Sequence, residues 1–292
     1  ALDMSLGVKQ LTPSAEKIRR LMHYGQMLQS HALHFFHLSS PDLLFGFDSD
    51  VAARNIVGVV AAHPEVAKKG VLLRKFGQEI IKTLGGRRIH PVFAIPGGVN
   101  KALTLQERDD ILKNSDAAIA TLRIGLQIIK DWAQKNMEDI NKFAVFPTGY
   151  FGLTTPDNGL ELYDGDIRLI GRDGAQLERF PVANYLDHIQ EHVEPWSYLK
   201  FPFYKKMGYP DGVYRVGPLG RLNLAEKIDT PLANDELKIF KSLNKGKPVE
   251  NTLYYHYARL IECLFAVERV SVLCADPDIL STDILNTRKD FK

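Results

Sequence analysis

With 292 residues, 45% hydrophobic and 25% charged, the chain has material for one large or two modest globular domains with a substantial core. Lys+Arg 37 against Asp+Glu 35 leaves a net charge of +2, with the basic residues scattered along the sequence, which argues against a nucleic-acid partner. The longest apolar run, Ile56 to Ala62, is far short of the roughly 18 residues a membrane span needs, and no basic-then-apolar leader opens the sequence, so a cytoplasmic protein is expected.

Thr12-Pro13 pairs an N-cap with a proline at the first helical position, and Ile18, Leu21, Met22, Leu28, Ala32, Phe35 and Phe36 follow at helical spacing. The spacing predicts a central helix over 13–38, stopped by Pro41. Further helices are predicted over 50–62 and 64–84, the latter closed by Gly85-Gly86. Two prolines and two glycines make 87–100 irregular, and a long helix is expected over 105–137. Between 143 and 180 the runs LELYD and DIRLI, with Asp164-Gly165 and Asp173-Gly174, read as hairpins. Helices are expected again over 182–193, 233–243 and 250–275, with an aromatic, proline-rich stretch over 194–218. The fold class is therefore mainly α: one helical body over 1–292 with a small antiparallel β appendage at about 143–180.

Candidate chemistry gathers where the first helix ends. His31, His34 and His37 recur at three-residue steps within an arc of about 120°. No HExxH and no further ligand at metal spacing accompany them, so hydrogen-bonded packing is favoured over direct ligation. Asp42 sits where a negative charge opposes a helix dipole, as a solvated turn acid or as a carboxylate facing a polar pocket. Asp48 and Asp50 read as turn acids or an N-cap. Arg87, Arg88 and His90 leave a helix end, either as a simple C-cap or as a surface for a partner or an anionic cofactor. The segment EPWSYLKFPFYKK, with Trp196, Tyr198, Lys200, Phe201 and Phe203, is half-buried packing or an interface. No nucleotide-binding glycine motif and no nucleophile elbow occurs. Cys263 and Cys274 stand on one predicted helix, about 16 Å apart along its axis, too far for a disulfide or a shared metal. They read as small buried hydrophobes.

Four segments together resemble the large, metal-carrying subunit of nickel-iron hydrogenases, particularly the NAD-reducing, bidirectional cytoplasmic type. They are AEKIRRLMHYGQMLQSHALHFFHLSSPDLLFGFDSD, FGQEIIKTLGGRRIHPVFAIPGGV, WSYLKFPFYKKMGYPDGVYRVGPLGRLN and YYHYARLIECLFAVE, in order over about 15–280. The resemblance implies a helical-bundle core with a small β excursion and, in the complete enzyme, heterolytic cleavage of dihydrogen with electrons passing through iron-sulfur subunits to NAD. It also implies partners: a small subunit carrying iron-sulfur clusters and diaphorase-type subunits.

The chain departs from the family in its metal ligands. Nickel and iron are held there by four cysteines, in a CxxC and a DPCxxC, and this sequence contains neither. The family's EGH glutamate is expected before Ala1 and its APRG arginine beyond Lys292. The chain is thus expected to be a central, truncated part of a large subunit, inactive alone and without a cofactor, the nickel-iron centre belonging to the full-length family member. By the resemblance, Asp42 is the carboxylate lying over the metal site, His31 and His34 are the supporting helix histidines, and Gly86 to His90 turn toward the small subunit. Self-association through uncovered apolar surface is expected. Two alternatives are a metal-free relative such as the quinone-site subunit of respiratory complex I, and a helical partner-binding scaffold.

Overall fold

The computed structural model describes residues 2–8 and 10–286. After the one-turn helix α1 (Leu2–Ser5) comes α2 (Pro13–Leu33). The Thr12 hydroxyl accepts the Ala15 N–H at 3.3 Å, and Pro13 lacks only the N–H that a first-turn position cannot use. Ile18, Leu21, Leu28 and Ala32 then recur on one face, and none reaches solvent.

Pro41 does not stop this helix. Leu33 passes directly into a π-helical segment, His34–Ser39, and then into α3 (Ser40–Phe45), which ends at Gly46 with φ 89°. A proline inside a regular α-helix clashes with the carbonyl four residues back and offers it no hydrogen. The wider π turn relieves that register, and the Ser40 hydroxyl donates to the Phe36 carbonyl at 2.9 Å.

α4 (Ile56–Ala62) starts later than expected because Asn55 caps it, its side chain accepting the N–H groups of Val57 and Gly58 at 2.9 and 3.1 Å. Asp50 instead accepts the Ala52 N–H at 2.9 Å in the preceding turn. α5 (Pro64–Gly85) follows at once and closes on Gly86 at φ 75°, as the glycine pair predicts. It packs along α2 so closely that a Cβ on Gly77 would stand 2.7 Å from the Gly25 carbonyl oxygen, and the seam therefore requires glycine.

The stretch expected to be irregular holds a minimal hairpin, β1 (Ala94–Ile95) with β2 (Gly98–Val99). It survives because side chains satisfy its backbone: Asp3 accepts the Gly97 N–H at 2.8 Å, and Arg19 donates to the carbonyls of Ile95 and Gly98 at 2.9 and 2.8 Å. Two helices, α6 (Leu105–Leu112) and α7 (Ser115–Lys135), replace the single long one expected, and α8 (Met137–Lys142) follows where it was to end. Asn114 and Asn136 mark the breaks, each turning its side-chain amide onto a carbonyl four residues back, Asp110 at 2.7 Å and Trp132 at 2.8 Å.

The remaining strands are β3 (Gly149–Thr154), β4 (Asp166–Ile170) and β5 (Gln176–Pro181), then β6 (Ile189–Val193) paired with β7 (Lys200–Tyr204), and β8 (Tyr214–Arg215). The four-stranded sheet has order β5-β4-β3-β8, antiparallel except for the parallel β3–β8 edge. DIRLI is β4 as expected and Asp173-Gly174 makes the β4–β5 turn, but LELYD is a loop that meets the sheet at the Leu160–Thr154 bridge. The helix expected over 182–193 shrinks to α9 (Tyr185–His188), and its second half is β6. Long-range stacking decides this segment: His188 lies on Phe180 at 3.8 Å and His192 on Tyr209 at 3.9 Å, contacts that local periodicity does not contain. β structure thus continues well past residue 180.

α10 (Gly217–Leu224), α11 (Pro231–Ser242) and α12 (Tyr255–Ala275) complete the order. The chain divides into two units, Ala1–Ile129 with Glu262–Lys292, and Lys130–Ile261. The first has the α2–α5 seam at its centre. The second packs α10 on β3, with Tyr150, Ile170 and Leu224 buried together.

Candidate functional site

α2 places His31 in the interior of the first unit, where its Nε2 lies 2.9 Å from Glu262 Oε2 on α12. Glu262 is fully buried and His31 nearly so. A carboxylate removed from water this completely needs a partner, and the imidazole is one. Further along the same two helices, Phe265 meets the Tyr24 ring edge-on at 5.7 Å and the Arg269 guanidinium lies 6.0 Å from the same ring. Glu262 is the residue that sequence reasoning missed. In the sequence it is one of three charged residues, with Glu268 and Arg269, that interrupt the mostly apolar run LIECLFAVERVSVLC, and nothing there marks which is paired.

The π-helical segment sets the next groups. The Nδ1 of His34 is 3.2 Å from the buried Ser39 hydroxyl, while His37 is exposed. Asp42 falls in the last turn of the continuous helical run that ends at Gly46, and its half-exposed carboxylate is 3.6 Å from Arg54 Nε. The expected opposition between this charge and the helix C-terminus is present, and the Arg54 guanidinium beside the carboxylate offsets it. Each of the three residues has a different partner: Glu262 for His31, Ser39 for His34 and Arg54 for Asp42. Beyond α5, Arg87 and His90 are exposed, His90 with φ 51°, and Arg88 pairs with Glu79, whose carboxyl the guanidinium holds below the usual carboxylate range. A cavity of about 490 Å³ brings His37 and Arg88 together with Phe36, Val71 and Arg74.

Cys263 and Cys274 are both buried on α12 and neither forms a disulfide. Burial pushes the Cys274 thiol up to about 12, so it stays protonated at neutral pH. Among the described residues no group of three or more His, Cys, Asp and Glu could hold a metal ion, and no helix is long and apolar enough to cross a membrane. The donor set of this chain does not fit a four-thiolate nickel-iron centre.

No protein-family model matches the chain. Individual relatives do: it is 46% identical over 97% of its length to the vhu F420-non-reducing hydrogenase subunit of Methanocaldococcus jannaschii, covering 67% of that protein. It is 40% identical over 98% of its length to the NAD-reducing hydrogenase HoxS subunit beta of Cupriavidus necator, covering 61% of it. Its backbone superposes on an NAD+-reducing [NiFe]-hydrogenase in the H2-reduced state with a TM-score of 0.94 at 41% identity, over 99% of this chain and 65% of that one. This chain belongs to the nickel-iron hydrogenase family. It spans about two thirds of the length of the relatives it matches. The Ni-Fe-Se hydrogenase of D. vulgaris Hildenborough, at 18% identity and a TM-score of 0.72, shares the fold. Hydrogenases are oxidoreductases, and the helical body with its sheets is the fold of their large subunit.

Proposed function

We propose that this chain is the central body of a nickel-iron hydrogenase large subunit. The whole protein reversibly oxidises dihydrogen and passes the electrons through iron-sulfur subunits to NAD, in the cytoplasm. The observation that carries the reading is the superposition on an NAD+-reducing [NiFe]-hydrogenase, 0.94 in TM-score over nearly the whole chain. The metal-holding thiolates are not among the residues of this sequence, so the chain alone is inactive and binds no nickel. What it contributes is protein: a helical wall with one carboxylate, Asp42, that tunes the electrostatics of the gas-binding pocket without itself carrying the proton. His31 and His34 support that wall through Glu262 and Ser39. Arg87, Arg88 and His90 meet the small subunit, beyond which diaphorase-type subunits carry electrons to NAD; the chain alone self-associates.

The test uses the complete assembly with this sequence in its large subunit. Hydrogen-dependent reduction of NAD is expected, and Asp42→Ala should lower kcat about 10- to 100-fold with nickel content unchanged. An assembly that takes up no hydrogen would remove the functional reading; an Asp42→Ala assembly of unchanged turnover would remove the role of Asp42 alone. Near-stoichiometric nickel on the isolated chain, by elemental analysis, would overturn its inactivity.

A further inference from the structure

Against charge that is scattered along the rest of the sequence, one element stands out. From Pro64 to His90 there are four lysines and three arginines against Glu65 and Glu79. α5 turns its glycines and Phe76, Ile80 and Ile81 inward, so these cations lie on its outer side and in the loop after it. Two hollows of the first unit flank the helix there. One, of about 490 Å³, has an apolar floor of Phe36, Val60 and Val71 and a rim of Arg74, Lys75 and Arg88. The other, of about 790 Å³, sets Lys69, Lys75, Lys82 and Arg88 around Leu72, with Glu79 as its one acid.

Three observations show that this face is unfinished. Val71 is 63% exposed, Leu72 52% and Val60 53%, side by side with the cations and not scattered singly. Arg74 lines the first hollow, and among the described residues its Nε has no hydrogen-bond partner. Arg88 is paired with Glu79, but among the described residues no ion pair engages the lysines that share its hollows. Apolar floor and cationic rim together select an occupant with the complementary pattern, apolar side chains flanked by carboxylates.

We propose that the outer face of α5, from Lys69 to Arg88, is a docking surface for an acidic amphipathic segment of a partner protein. Its leucine-type side chains fill the groove over Phe36 and Val71, and its carboxylates meet Arg74, Lys75 and Arg88. The inference stands on charge and shape and does not depend on the hydrogenase reading; it shares Arg88 with the small-subunit contact proposed above, and binding measured on this chain alone tests the rim without that subunit.

The probe is a fluorescently labelled twelve-residue peptide of alternating Glu and Leu pairs, read by anisotropy against the full chain at about 50 mM salt, where the Debye length is long enough for the rim to act. Binding is expected, with at least about tenfold loss when the leucines become serines, and about tenfold loss in the triple variant K69E/K75E/R88E. V60S/V71S, which changes only exposed side chains, should weaken the leucine peptide and leave the serine peptide unaffected. Circular dichroism matching the parent confirms that each variant is folded. The proposal is overturned if the leucine peptide does not bind, or if the serine peptide binds equally well, which would make the face a mere charge patch. Tighter binding of an oligothymidine than of the peptide would overturn it too, by making the face a nucleic-acid surface.

Discussion

Two regions of this chain depart from the ordinary partition of charge and apolar surface, in opposite directions. In the first unit, α12 buries the Glu262 carboxylate completely and pairs it with His31. On the β6–β7 hairpin of the second, Trp196 is 77% exposed and Tyr198 95%. Burying a charge costs several kcal/mol unless it is paired, and two exposed aromatic rings forgo about 1.5–3 kcal/mol each of burial free energy. The first arrangement can exist only because the fold supplies a partner. The second is tolerable because the hairpin is held by other residues, His188 on Phe180 and His192 on Tyr209. The lesson is that an out-of-place residue marks dependence on its neighbours when buried, and independence from them when exposed.

The largest test of that contrast removes one half of the buried pair. Glu262→Ala takes away the buried carboxylate that meets His31, and a loss of about 3–5 kcal/mol is expected in urea unfolding. The double replacement His31→Leu with Glu262→Leu takes both polar groups away and should recover most of it. A single-variant loss below about 1 kcal/mol would mean that water reaches the carboxylate, and the contrast with the hairpin would fail.

Much of the helical architecture was legible, and the reasons for the exceptions are local. Thr12-Pro13 and Gly85-Gly86 carry their own caps, so the first helix began and the third helix ended where expected. Pro41 misled because its meaning depends on the preceding turn, and a π turn leaves no composition signal. IQEHV has no strong helical or strand pattern of its own; its strand state comes from pairing with β7. Of the candidate site, His31, His34 and Asp42 are visible in the sequence because polar groups stand out at the end of an apolar helix. Glu262 was passed over because it lies 231 residues from its partner, and nothing local distinguishes a buried acid from an interruption of an apolar run.

The same helix offers a second, smaller test through its thiol. Burial raises Cys274 from 9.0 to about 12, so the folded chain keeps a proton that the unfolded chain gives up. The stabilisation is complete below pH 9 and is lost as pH rises toward 12, with about 1 kcal/mol gone by pH 10. Cys274→Ala should therefore lose about 1 kcal/mol less than the parent between roughly pH 8 and pH 10. Lys241, pulled down to about 8 by burial, titrates in the same window but is common to both proteins and cancels. Parallel stability profiles would show that the thiol ionises as freely in the fold as outside it, and that this part of α12 is wetter than its packing implies.

The hairpin should give the smallest effect. Tyr198 has almost its whole surface in water, so Tyr198→Ser removes little packing and is expected to change stability by less than about 0.5 kcal/mol in the same unfolding measurement. Phe180→Ala provides the contrast within one fold: that ring is buried and stacked on His188, and its loss should cost about 3–5 kcal/mol. If Tyr198→Ser proved as costly as a core truncation, the exposed ring would have to be packing against something in solution. A loss that grew with protein concentration would identify that something as a second copy of the chain, since only association makes stability depend on protomer concentration.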